Sequence, residues 1–306
     1  MFAYVIRRIG AALAVLWGAA TAVFALLRGL PGDPAETVLA GSGASQAQIE
    51  QMRQQLGLDD SLLVQYGRYL LNTLQGDLGR SLFSGRPVGL TITEQLPATM
   101  QLAAAALVVA IVLGLSLGIL AALRAGTWID RVAMGVAVLG VSVPVFWSGL
   151  LLIWVFSVGL NWLPATGGGS WRHLVMPATV LGLVGAGPIA RLMRASLLDV
   201  LRADYITMAR GKGLPGTAVI GRHALRNAMI PTITLVGLQA GFLLGGTVIT
   251  EAVFARPGLG RLVVEAILSK DLPVVQGIVL LTATTYVVIN LLVDLTTLAL
   301  DPRQRQ

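Results

Sequence analysis

The sequence predicts an all-α polytopic membrane protein with six transmembrane helices, and three observations carry that prediction. Of 306 residues, 55% are hydrophobic and only 12% charged, about half the charge of an ordinary soluble domain. The apolar residues fall in blocks of about twenty, the length that crosses a bilayer as a helix. The basic residues gather between alternate blocks, as membrane topology distributes them. The net charge of +7 is therefore not that of a nucleic-acid-binding face, and no nucleic-acid partner is expected. With no cysteine, and with its two histidines, His173 and His223, far apart in the chain, the protein is expected to hold neither a disulfide framework nor a metal.

The first crossing is the apolar run Ile9 to Leu27, preceded by Arg7 and Arg8. It is long for the apolar core of a signal peptide, and Arg28 to Pro34 offers no small-x-small cleavage site, so an uncleaved helix is expected. From Pro31 to about Pro97 the chain is soluble in character, with seven acids and four arginines. Ser45 followed by Gln48 reads as a capping box, and Gly57 as the stop, of a helix Gln46 to Leu56. A second amphipathic helix follows, with Leu62, Leu63, Tyr66, Tyr69, Leu70 and Leu74 expected on one face. This region reads equally as a cap over the bundle and as a docking surface.

Met100 to Leu123 carries no charge over 24 residues and is the second crossing; one mid-helix charge costs about 2.5–3.5 kcal/mol on insertion scales. Between Arg131 and Arg172 there is again no charge. A third crossing is expected from Val132 to Leu160, with Pro144 inside it as a kink. Trp162 and Trp171 bracket a loop at interfacial depth. The fourth crossing, Leu174 to Ala190, contains Gly182, Gly185 and Gly187, small residues that let helices approach closely. The fifth is expected from Pro231 to Thr250. Glu251 to Lys270 reads as a re-entrant or interfacial segment, and Val274 to Val293 as the sixth crossing, with a short basic tail at Arg303 and Arg305.

Charge orients the bundle. With the amino terminus inside, thirteen basic residues fall on the inner side (Arg7, Arg8, Arg124, Arg131, seven between Arg191 and Pro231, Arg303 and Arg305). The short outer loops hold four, Arg172, Arg256, Arg261 and Lys270. The positive-inside rule then places both termini and residues 191–231 in the cytoplasm, and residues 31–97 outside as a large loop between helices 1 and 2. The whole of 1–306 is read as one transmembrane domain.

The basic segment Arg191 to Pro231 is the part with no use in a pore wall. Ala203, Tyr205, Ile206, Met208 and Ala209 have helical spacing, and Gly211, Gly213, Pro215 and Gly216 stop any helix after them. A short helix with a forced turn on the charged side of a membrane is suited to being held by a partner.

The run Asp204-Tyr205-Ile206-Thr207-Met208-Ala209-Arg210-Gly211-Lys212-Gly213-Leu214, followed by Arg222-His223-Ala224-Leu225-Arg226-Asn227-Ala228-Met229-Ile230-Pro231, resembles the cytoplasmic signature loop of bacterial ABC importer permeases. The resemblance is to the dipeptide/oligopeptide, binding-protein-dependent branch. Leu30 to Pro34, Gln55 to Asp59, Gly76 to Ser81 and Phe254 to Arg261 resemble the same branch at matching places, so it covers most of the chain from Ile6 to Asp301. It implies a coupling helix seated in a groove of an ATPase subunit. Asp204, Tyr205, Thr207, Met208, Ala209, Arg210, Lys212, Gly213 and Leu214 would form that contact, supported by Arg222, His223, Asn227 and Pro231.

The implied protein is a multi-pass subunit of the bacterial inner membrane, surrounded by lipid. It would form half of a path for short peptides with a second, homologous permease subunit, and receive them from an extracytoplasmic binding protein. Glutathione and nickel chelates are alternative solutes within the class. ATP would be bound and hydrolysed by the separate ATPase, so this chain is expected to be no enzyme and to carry no cofactor.

Two other motifs mislead. Gly211 to Gly216 fits a dinucleotide-binding pattern, but no strand precedes it and Pro215 interrupts it. Gly114 to Gly118 fits a hydrolase elbow inside an apolar crossing with no base at hand. Neither lysine is followed by Ser or Thr, so the chain has no P-loop. A secondary carrier driven by an ion gradient, the alternative class, usually shows ionisable residues within its crossings. Here only Glu251 and Asp294 come near, and both read as helix-end residues.

Overall fold

The computed structural model describes residues 2–29, 33–39 and 45–300, with the side chains of 2–5, 34, 37, 38 and 294–300 left aside. The expectations for Leu30 to Gly32, Arg303 and Arg305 lie outside these residues. Thirteen α-helices are described: α1 (Phe2–Arg28), α2 (Pro34–Leu39), α3 (Gln46–Gln55), α4 (Leu62–Leu74), α5 (Val88–Leu123), α6 (Trp128–Ser142), α7 (Val145–Leu152), α8 (Arg172–Leu201), α9 (Asp204–Gly211), α10 (Gly216–Ala218), α11 (Leu225–Val253), α12 (Leu259–Leu268) and α13 (Leu272–Leu300). π-Helical stretches at Ile153–Gly159 and Val219–Ala224 continue α7 and α10. Among the described residues the one departure from helix and loop is an isolated antiparallel bridge between Arg80 and Pro87.

Among the described residues, five helical stretches are long and apolar enough to cross a membrane: Ile6–Arg28, Val88–Leu123, Arg172–Leu201, Gly216–Val253 and Leu272–Val293. The sixth expected crossing is different in kind. α6 and the following Val145–Gly159 are bent by 106°, so the chain at Pro144 is broken where a kink was expected. Proline disfavours the helical conformation of the residue before it, and Val143 is extended, at φ −86° and ψ 127°. Pro231 differs the other way: it lies inside α11, and the loop expected to run from 191 to 231 is shortened at both ends, since α8 continues to Leu201. A helix tolerates a proline where neighbouring groups re-satisfy the freed carbonyl.

The chain forms two units, one of residues 1–98 and 258–287, the other of 99–257 and 288–306, the division passing through α5 and α13. In the first, the capping box of α3 is present as expected: Gln48 N–H reaches Ser45 Oγ at 3.4 Å, and Ser45 N–H donates to Gln48 Oε1 at 2.8 Å. α4 turns differently from its predicted face. Gln65, Tyr66, Tyr69 and Leu70 point inward, while Leu62, Leu63 and Leu74 are exposed. The decisive contacts are aromatic: Phe24 of α1 lies 5.3 Å from the Tyr66 ring and 5.6 Å from Tyr69, and the Thr21 and Tyr66 hydroxyls are hydrogen-bonded at 2.7 Å. Asp271, at the start of α13, accepts from Ser81 Oγ at 2.5 Å and from Leu82 N–H at 3.1 Å. It thereby ties down the segment between α4 and α5.

In the second unit α8 is the central helix, and small residues set its distance to two neighbours. A Cβ on Gly182 would lie 2.6 Å from Val109 Cβ of α5. One on Gly187 would run into Val141 Cγ2 of α6 and stand 2.5 Å from the Ala137 carbonyl oxygen. The helix backbones touch here, as the glycine spacing predicted.

Candidate functional site

The candidate site is built from the carboxyl-terminal end of α8 onward. α8 stops at Leu201 and Ala203 is extended at φ −69°, ψ 145°. One turn of linker therefore redirects the chain into α9. The helix ends as its glycines require: Lys212 caps it and Gly213 adopts φ +77°, a left-handed conformation that a side chain would strain.

α9 is amphipathic, and its two faces sort the expected site residues. Ile206 and Ala209 are buried in a cluster with Ala122 of α5, Met193 and Leu197 of α8, and Val219, Ala224 and Ala228. Asp204, Tyr205, Thr207, Met208, Arg210, Lys212, Gly213 and Leu214 are exposed. Ala209 is thus a contact of this chain with itself, 7% exposed, whereas Met208 is 63% exposed. The resemblance implied that Ala209, like Met208, would meet the partner, whereas here it faces this chain's own helices. Packing against α8 and α11 decides it.

The residues following α9 brace it. Asn227 Nδ2 donates to the Tyr205 hydroxyl at 2.8 Å and to the His223 carbonyl at 3.1 Å, joining three of the expected residues in one chain of bonds. Arg222 is exposed, and Pro231 lies on the exposed side of α11.

Sequence reasoning missed two polar clusters in this unit. Asp130, near the start of α6, is buried and receives Arg194 of α8 in a two-pronged contact, Nε to Oδ1 and Nη2 to Oδ2, both 2.7 Å. The Gly126 N–H adds a third bond at 2.9 Å. Bidentate arginine–carboxylate contacts are both strong and directional. This one ties α6 to α8 two turns before α8 ends at the α9 linker. The available signal was a lone acid in the short turn between Arg124 and Arg131.

The second cluster surrounds Glu251, expected at an interface but fully buried. Thr99 Oγ1 donates to its carboxylate at 2.7 Å, and Arg256, also buried, donates through Nη2 to Gln101 Oε1 at 2.8 Å. Burial lowers the basicity of Arg256, and the Glu251 carboxylate partly opposes that effect. Among the described residues there is no group of three or more metal-ligating side chains.

A short amphipathic helix packed against closely apposed, long apolar helices defines a polytopic helical membrane protein, and comparison with known proteins identifies which. Residues 114–306 match the family described as "Binding-protein-dependent transport system inner membrane component", and residues 1–103 match its N-terminal companion. The chain belongs to this family: it is the permease subunit of an ABC importer and a multi-pass protein of the bacterial inner membrane. It is 45% identical over 305 residues to the glutathione transport system permease protein GsiC of Escherichia coli strain K12, covering 100% of this chain and 99% of that one. The same identity and coverage hold for GsiC of Shigella dysenteriae serotype 1. Among solved structures, the inward-facing MetNI methionine ABC transporter aligns with a TM-score of 0.59 at 19% identity, covering 69% of this chain and 97% of that one. An amino acid ABC transporter aligns at 0.52 and 16%, covering 70% and 94%. These two likenesses concern the fold.

Proposed function

We propose that this chain forms half of the path through which glutathione, or a short peptide of similar size, enters the cell. The observation that carries the solute is the 45% identity to a glutathione permease along the whole chain. Residues 31–97 lie outside and receive the solute from a binding protein; the termini and α9 lie inside, as the distribution of basic residues favours. A second, homologous permease completes the path. ATP is bound and hydrolysed on a separate ATPase subunit, and this chain itself binds no cofactor.

Coupling runs through α9. An apolar Met208 and Leu214 exposed among Asp204, Thr207, Arg210 and Lys212 present the mixed surface of a partner contact, with Tyr205 held in place by Asn227. Ile206 and Ala209 hold the helix to its own bundle, so motion of the ATPase is transmitted to α8 and α11.

Copurification tests this reading. Met208→Glu places a charge in the partner groove, at a cost of roughly 2–5 kcal/mol if unpaired there, or about 1.5 to 3.5 powers of ten in affinity. The variant should fold normally yet lose its ATPase subunit and transport. Ala209→Glu should lower the permease's own stability, because the charge enters this chain's apolar cluster. Thr217→Glu, exposed beyond the turn, should be mild. Normal ATPase recovery and uptake by Met208→Glu would overturn the coupling assignment.

A further inference from the structure

α4 turns its most apolar side away from the protein. At about 100° per residue, Leu63, Leu74, Leu71 and Val64 follow one another around a single arc, with Gly67 in its middle. All four side chains are exposed, Leu63 by 82% and Leu74 by 84%, and a Cβ on Gly67 would meet nothing within 4 Å. Arg68, Asn72 and Gln75 occupy the next arc and are exposed too. Tyr66 and Tyr69 fill a third, against Phe24 of α1. A helix with its leucines on the free side and its polar residues gathered beside them suits a boundary between water and an apolar phase.

The depth at which α4 is held says what that phase is. The span Ile6–Arg28 has 23 residues, about 34 Å of helix, slightly more than the ~30 Å hydrocarbon core of a bilayer. Its Arg28 end therefore lies at the edge of that core, with the guanidinium carbon 5.7 Å from the centre of the Phe24 ring. α4 is fastened to Phe24 and Thr21, about 6 and 10 Å from Arg28 toward the membrane interior. Interfacial helices bury their apolar faces about 5–10 Å into the boundary of headgroups and acyl chains. A second observation comes from α1 itself. Leu26, between Phe24 and Arg28, and Trp17, one turn before Thr21, are exposed, so at the level where α4 is attached this chain leaves its own span open to lipid.

We propose that the leucine face of α4 is a lipid-binding surface, inserted among the acyl chains of the leaflet at the Arg28 end of α1. The distribution of basic residues favours the outer leaflet. Leu63, Val64, Leu71 and Leu74 are solvated by acyl chains, while Arg68, Asn72 and Gln75 stay in water at the level of the headgroups. The anchor holds the segment between α1 and α5 on the membrane surface. It depends on α1 as a crossing and not on the solute, so it stands or falls apart from the assignment of glutathione.

The test uses the assembled transporter in nanodiscs, with the fluorophore NBD on one cysteine introduced into this cysteine-free chain and the cysteines of the partner subunits removed. Two quenchers are compared, phosphatidylcholine with a doxyl group near the head of one acyl chain, and aqueous iodide. At Leu71→Cys and Leu74→Cys the ratio of doxyl to iodide quenching should exceed that at Asn72→Cys by about tenfold, as for an apolar face sunk in the interface beside a solvated one. Asn72 adjoins Leu71 in sequence, so the contrast reads the face of the helix and not only its depth. All three variants should elute with the parent on size exclusion, and Leu63→Cys reads the same arc if Leu74→Cys does not assemble.

Equal iodide quenching at Leu71, Leu74 and Asn72 would overturn the proposal and leave the face in water. Labels at Leu71 and Leu74 reached by neither quencher would overturn it as well, assigning the face to the second permease. Iodide quenching there that disappears only when the extracytoplasmic binding protein is added would assign it to that protein instead.

Discussion

Replacing Gly187 by alanine tests whether direct backbone contact holds the second unit together. The added methyl would run into Val141 Cγ2 and stand 2.5 Å from the Ala137 carbonyl oxygen, below any real Cβ contact. The carbonyl belongs to the α6 backbone and has no rotamer to escape through, so α6 and α8 must separate. Overpacking of this kind costs typically about 1–3 kcal/mol. Against it stands a gain of about 0.4–1 kcal/mol from replacing glycine by alanine in a helix. The net expectation is a destabilisation of roughly 1–2 kcal/mol. Gly245 of α11 supplies the control, because a Cβ there meets nothing within 4 Å; Gly245→Ala should keep the gain without the clash. The two variants have the same chemistry and should differ in sign. Thermal unfolding of the purified permease, followed by tryptophan fluorescence, reads both against the parent. A Gly187→Ala protein as stable as Gly245→Ala would refute the close-contact account of α6 and α8.

Asp130→Asn should destabilise the second unit by roughly 2 kcal/mol, the scale of hydrogen bonds to charged groups. A double-mutant cycle with Arg194→Gln should return a coupling energy above about 0.5 kcal/mol, the separation at which independent sites become additive; a smaller value would reduce the pair to a solvated contact. The cysteine-free sequence makes orientation easy to read. Single cysteines at Gln54 and Ser170 should react with an impermeant thiol reagent from outside, and those at Thr217 and Gln304 should not. Labelling at Thr217→Cys from outside would reverse the assignment of α9 to the cytoplasm.

Much of this protein was legible in the sequence because membrane insertion is governed by local composition. A block of twenty uncharged residues is long enough to span wherever it falls, so five of the expected crossings coincide with apolar helices of spanning length, matched within a few residues at most of their ends. α9 was legible for an equally local reason, a helical run closed by glycines and a proline. The capping box at Ser45 and the glycine contacts of α8 also follow from residues a few positions apart.

What only the tertiary structure decided concerns direction and pairing. Periodicity put Ala209 and Met208 on one short helix, but the bulk of Met193, Leu197 and Ala228 turned Ala209 inward and left Met208 free. Leu62, Leu63 and Leu74 of α4 lost the inner face to Tyr66 and Tyr69, because Phe24 offers ring contacts there. The chain at Pro144 was expected to kink; its 106° turn comes with packing of Val145, Leu152 and Phe156 against Met176 and Phe254. Asp130 with Arg194 and Thr99 with Glu251 stand 64 and 152 residues apart in the chain. Such pairs leave no periodic signal, since what selects them is the desolvation of a charge that needs a partner once the helices have closed around it.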